Sequence, residues 1–305
     1  MNMNIGGKRV VFFIDELYFY DEQQDCYVSQ YSGGRFLEMM QKELALQATF
    51  VIPVRRAACP VSYATCLKED NIRIEPLPGW KSIVSYYKLL LNPKWFFVFK
   101  KKIRGLFGNS HIFWIRLPSP FGLWLGTLAE KKGKFVLYHV AGDIRFGYLS
   151  PKYKGCLRLL ARVMGTYLYK KSLRLGDNSL FFCTGSKLLD LYDKAGKKTI
   201  PFIDSLINRN FLSMPKNELG RPIKFLYVGR ILEEKGIYFL IKAIERLAEI
   251  YEVNLDIVGF GDDVDKLKKM IKNKNNIKYI GFIKNGPDLF KIYKDNDIFV
   301  LPSLY

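Results

Sequence analysis

The chain alternates short, continuous apolar runs with longer amphipathic stretches. RVVFFI (9–14), ATFVIPV (48–54), HIFWIRL (111–117), KFVLYHV (134–140) and SLFFCTGS (179–186) have strand length and little polar alternation. A strand that is polar on neither face is buried on both, so these runs predict a parallel sheet with helices on either side. A helix is expected to open within YSGGRFLEMMQKELA, where Gly33 and Gly34 allow a ligand to approach free backbone N–H groups. Residues 152–174 read as a long helix, with Leu160, Val163, Met164, Tyr167 and Leu168 on its apolar side and Arg158 and Arg162 on another.

Residues 206–220 are rich in Asn, Pro and Gly without a period, and read as a linker between a first domain, 1–205, and a second, 221–305. In the second, the alternation becomes regular: IKFLYVG, NLDIVG, IKYIG and DIFVLPS as strands, with a helical stretch between each pair. Four strands with three right-handed crossovers predict a parallel sheet with its ligand crevice at the strand C-termini. The strand ends carry fitting residues: Gly229 followed by Arg230 and Lys235, Gly259 and Gly261 in GFGDD, Gly281 before Phe282 and Ile283, then Pro302 and Ser303. A guanidinium fork and an ammonium suit a diphosphate, binding its oxygens and offsetting charge as it departs. Glu233 and Glu234 are expected at the N-terminus of the next helix, where carboxylates suit the macrodipole.

With 305 residues and 49% hydrophobic content, the chain can bury two cores. The five cysteines (Cys26, Cys59, Cys66, Cys156, Cys183) lack metal or redox spacing and are expected to be reduced core residues of a cytoplasmic protein. No signal peptide and no membrane span is expected. The net charge of +19 is unevenly spread: residues 81–174 hold 19 Lys and Arg against Glu130 and Asp143. Within them NPKWFFVFKKKIRGLFG (92–108) interleaves aromatics with five basic side chains. That pattern fits an anionic membrane surface, the alternative being a solvated basic face over an ordinary core helix. No nucleic-acid recognition motif accompanies it, so nucleic acid is not the expected partner. His139 ends an apolar strand and is a candidate for chemistry, with a core histidine as the alternative; His111 is assigned no role. Asp143 either orients a ligand hydroxyl or pairs with Arg145.

The order and spacing of VGRILEEKGIYFLIKAI, LDIVGFGDD, IKYIGFI and DNDIFVLPS closely resemble the donor-binding domain of family 4 glycosyltransferases. SGG (32–34), His139 and TGS (184–186) loosely resemble the acceptor domain of that family. The resemblance implies a GT-B fold, two Rossmann-like doubly wound domains facing a cleft, and retaining, metal-independent sugar transfer without a cofactor. By the same resemblance, Arg230 and Lys235 hold a nucleotide diphosphate sugar, Phe282 and Ile283 lie near its base, Gly34 near the donor phosphates and His139 near the transferred sugar. The acceptor is expected to be a glycolipid or polysaccharide at the inner membrane face, with the protein peripheral there. The sequence departs from the family in two places: PFIDS (201–205) stands where N-G-V-D is usual, and the family's later E-x7-E is absent. The missing E-x7-E leads to the expectation of a second domain that is incomplete, and the PFIDS departure leaves the hinge role of that segment open. The rival readings are a truncated, inactive nucleotide-binding remnant, a chain completed by a partner, and a basic nucleic-acid-binding protein.

Overall fold

The computed structural model describes residues 8–57, 59–60, 63–70, 72–80, 83–149, 153–176, 179–207 and 218–304. The chain forms two compact units, Met1–Ser205 and Leu206–Tyr305. Residues 208–217 of the expected linker lie outside the described residues.

In the first unit, β1 (Arg9–Phe13), β4 (Gln47–Arg55), β7 (Ile112–Leu117), β8 (Phe135–Val140), β9 (Leu180–Thr184) and β10 (Lys198–Phe202) form a parallel sheet in the order β10-β9-β8-β7-β1-β4. Beyond β4 the sheet continues with a short parallel strand β2 (Tyr18–Asp21) and antiparallel β3 (Cys26–Ser29) and β5 (Thr65–Leu67), while β6 (Arg73–Pro78) also pairs with β4. The β2–β3 hairpin is not evident in the sequence, where YFYDEQQDCYVS reads as a loop. Its turn is held by the Asp21 carboxylate, which accepts from the N–H groups of Gln23 and Gln24. The hairpin also corrects the picture of scattered core cysteines. Pairing of β3 with β5 brings Cys26 Sγ and Cys66 Sγ to 2.6 Å, and Cys156 is exposed.

Along β1 the side chains divide between two layers. Val11 and Phe13 pack beneath α2 (Ile83–Leu90), α3 (Pro93–Asn109), α4 (Pro120–Lys131), α5 (Gly155–Ser172) and α6 (Ser186–Asp193). Val10 and Phe12 pack toward α1 (Gly33–Glu43). Both faces are therefore apolar, which is why the run has no alternation. Local caps start α3 and α4: Asn92 Oδ1 accepts from the N–H of Lys94, Ser119 Oγ from that of Gly122, and each helix has Pro at its first turn.

The second unit holds β11 (Ile223–Val228), α7 (Ile237–Ala248), β12 (Val253–Val258), α8 (Val264–Ile271), β13 (Ile277–Gly281), α9 (Pro287–Asp295) and β14 (Ile298–Phe299). Its strands are all parallel, in the order β13-β12-β11-β14. Strand order therefore reverses direction between β11 and β14 in this unit and between β1 and β7 in the first. In doubly wound sheets such switch points, at the strand C-termini, are where ligands bind.

Candidate functional site

At the switch point of the second unit, the segment after β11 runs through Gly229 and Arg230 to a single 3-10 turn, Glu233–Lys235. It is tied to the neighbouring strand ends by backbone bonds. Gly229 N–H donates to Val258 O at 3.0 Å, Ile231 N–H to Phe260 O at 2.8 Å and Asp263 N–H to Ile231 O at 3.2 Å. The approach is so close that a Cβ on Gly259 would overlap the Gly229 carbonyl, and one on Gly261 the Ile231 carbonyl. Gly236, at φ 70°, meets the Pro302 carbonyl after β14 in the same way. These glycines are thus required by backbone packing around the Arg230 segment. Their spacing in the sequence assigns Gly259 and Gly261 to a ligand, because spacing alone cannot tell what approaches a glycine.

Arg230 is half exposed, and its Nη2 lies 3.6 Å from Glu234 Oε1, while Glu233 N–H donates to Asp263 Oδ2 at 2.8 Å. The two glutamates therefore belong to the 3-10 turn, one turn before α7, and do not cap the helix itself. Glu234 holds the guanidinium by an ion pair open to water, which restrains it at little energetic gain. Lys235 is part-buried on the same turn. Phe282 packs edge-on against Phe260, rings 5.2 Å apart, and Ile283 packs with the small core around Leu226, Val258 and Leu289.

A second polar cluster lies at the switch point of the first unit. Glu16, just past β1, is buried, and its Oε1 accepts from Arg116 Nη1 of β7 at 2.5 Å. Arg116 Nη2 stands 3.7 Å from Asp204 Oδ2, and His139 Nε2 stands 3.2 Å from Thr184 Oγ1 and 3.9 Å from the same Asp204 oxygen. Burial pushes the Glu16 carboxyl up, an effect only partly countered by Arg116 and the N–H groups of Gly34 and Gly33. Gly33 and Gly34, the glycines expected near donor phosphates, thus lie close to Glu16, whose Oε2 is buried without a hydrogen-bond partner. Glu16 and Arg116 escape sequence reasoning, having only their position at strand ends as a signal, while Thr184 and Asp204 lie in the TGS and PFIDS segments without a role assigned to them from the sequence.

His139 is 2% exposed, with Trp114 and Phe202 against its ring at centroid distances of 6.0 and 5.0 Å. Burial first, and then the Arg116 charge, lower its pKa from 6.5 to about 4. The ring is neutral at pH 7. Asp143 resolves to pairing: Arg145 donates Nε and Nη2 to its two oxygens, the latter at 2.6 Å. His111 Nδ1 accepts from Arg9 N–H at 3.4 Å at the opposite, N-terminal end of the strands. Among the described residues, no group of three or more His, Cys, Asp or Glu is placed to hold a metal ion.

Residues 209–305 match the family model for glycosyl transferases group 1. An uncharacterized glycosyltransferase of Methanocaldococcus jannaschii is 37% identical over 83 residues, 26% of this chain and 21% of that protein. The poly(glycerol-phosphate) alpha-glucosyltransferase of Bacillus subtilis is 27% identical over 139 residues, 43% of this chain and 20% of that protein. This chain thus matches only about a fifth of the length of either relative. The structure of HepE from Anabaena in complex with UDP superposes with a TM-score of 0.56 at 15% identity, covering 98% of this chain and 74% of that one. The chain therefore has a Rossmann-like α/β fold with parallel sheets, like that of GT-B glycosyltransferases, and its residues 209–305 are similar to the glycosyl transferases group 1.

Proposed function

We propose that the chain moves a sugar from a nucleotide diphosphate donor to a hydroxyl of a glycolipid or polysaccharide acceptor, with retention of configuration. The observation that carries this reading is the Arg230–Lys235 segment, pinned between strand ends at a sheet switch point. In this reading Arg230 and Lys235 bind the diphosphate oxygens, and Gly229, Gly259 and Gly261 hold the segment in place. Phe282 and Ile283 border the base. As the sugar–phosphate bond breaks, negative charge grows on the leaving diphosphate beside two fixed cations, and that oxygen takes the acceptor proton on the same face of the sugar. His139, neutral and enclosed, acts as a positioning group for Thr184 and Asp204. The acceptor lies at the cytoplasmic face of a membrane, a location supported by the basic stretch 81–174.

The test is calorimetric titration with UDP and with GDP. Arg230→Ala with Lys235→Ala is expected to weaken the nucleotide that binds by about 1.5–3 kcal/mol for each charge-assisted hydrogen bond removed. Unchanged affinity in that variant would remove the assignment of this segment to the diphosphate.

A further inference from the structure

In α5 the apolar side read from the sequence divides: Leu168 is buried in the core and Met164 packs against it, while the rest turns outward. Leu159, Val163 and Tyr167, one helical turn apart, are 64%, 60% and 56% exposed, and Leu160 lies beside them. By contrast Phe99, Ile103 and Phe107 of α3, in the stretch expected to face lipid, are buried in the core. Phe97 of α3 and Leu91 just before it are exposed.

Two apolar hollows adjoin these side chains. One, about 430 Å³, is lined by Leu90, Leu91, Leu157, Leu160 and Met164. The other, about 550 Å³, is lined by Phe99, Trp124 and Leu128 together with Lys100, Arg104 and Lys132. Leu90 lines both. The second lies within the volume range of ligand pockets, about 300–1,000 Å³, and no carboxylate lines it.

Little of the surrounding charge is compensated: both acids of residues 81–174 are engaged inside the fold, and on α3 Lys102 pairs with Glu75. Glu130 accepts from Tyr138 Oη, Gly176 N–H and Ser179 Oγ at 2.8–2.9 Å, and Asp143 is held by Arg145. A nucleic acid would use the cations but has no partner for an aliphatic stripe, since its bases stack on aromatic rings. An anionic bilayer takes both, with apolar side chains entering the headgroup–acyl boundary and Lys and Arg meeting lipid phosphates. No helix among the described residues is long and apolar enough to cross a membrane, so such contact is made by a face.

We propose that this face lies on an anionic phospholipid bilayer, with the Leu159–Val163–Tyr167 stripe, Leu91 and Phe97 inserted. One acyl chain of an anionic lipid enters the α3–α4 pocket, its phosphate held among Lys100, Arg104 and Lys132. The inference shares only the membrane location with the sugar-transfer reading, and vesicle binding can fail while nucleotide binding stands.

The full chain is sedimented with vesicles of phosphatidylcholine with and without phosphatidylglycerol. Binding is expected only with the anionic lipid. Leu159→Asp with Val163→Asp should lower partitioning about tenfold or more, and Lys100→Gln with Arg104→Gln roughly thirtyfold, at about 1 kcal/mol per cation. Circular dichroism confirms that each variant folds. Phosphatidylglycerol with brominated acyl chains should quench Trp124, and Trp124→Phe should remove that part of the quenching. The bilayer face is overturned by equal binding to neutral vesicles, by no binding to anionic ones, by an unchanged Leu159/Val163 variant, or by RNA displacing the vesicles fully. The pocket assignment is overturned if Trp124 is not quenched.

Discussion

Protonating His139 should destabilise the first unit from within. Its pKa falls from 6.5 to about 4, chiefly through burial and then through Arg116, with Asp204 acting in the opposite sense. A lowered folded-state pKa means that the unfolded chain binds the proton more tightly. The stabilisation is therefore complete above the unfolded value near 6.5 and is lost as pH falls toward 4. The difference, at about 1.36 kcal/mol per pH unit, comes to roughly 3 kcal/mol. The ring is 2% exposed, so solvent screening takes little from this. Asp15 and Glu16 act in the other direction. Burial raises both carboxyl pKa values, so their contribution is present at low pH and lost as pH rises through the folded values. Comparing the protein with His139→Gln cancels that opposing slope. Urea unfolding followed by tryptophan fluorescence suits the purpose, because Trp80, Trp95, Trp114 and Trp124 all lie in Met1–Ser205. Between pH 7 and 4 the parent should lose up to about 3 kcal/mol relative to the variant. Parallel pH profiles, or an imidazole resonance titrating near 6.5, would refute the reasoning.

Removing Arg116 strands Glu16, and Arg116→Met should cost about 3–5 kcal/mol, since a buried charge is left unpaired. Adding Glu16→Gln should recover most of it, and an equal cost in the double variant by urea unfolding would contradict the pairing. In the second unit, Gly261→Ala forces a Cβ onto the Ile231 carbonyl and should cost about 1–3 kcal/mol or more, together with nucleotide affinity. Gly105→Ala in α3, where a Cβ meets nothing within 4 Å, should instead raise stability by about 0.5–1 kcal/mol. Thermal unfolding of the two alanine variants reads both signs, and a neutral Gly261→Ala would show that the backbone approach is looser than drawn.

The sequence by itself determined the parallel sheets. A strand buried on both faces must be a continuous apolar run, and RVVFFI has few other ways to satisfy that constraint. It also determined that Arg230 and Lys235 lie together past a strand end, because they are five residues apart on one segment. Only the tertiary structure decided what each special residue meets. Glu16, Arg116, His139 and Asp204 gather because β1, β7, β8 and the end of β10 finish on one edge of the sheet, a relation absent from any local window. Gly259 and Gly261 face backbone, and Cys26 meets Cys66 through strand pairing. The apolar side of α5 was legible as a stripe, yet its division between buried Leu168 and exposed Leu160, Val163 and Tyr167 was not. Helical periodicity fixes which side chains share a face, while the packing of the neighbouring helices decides whether anything covers it.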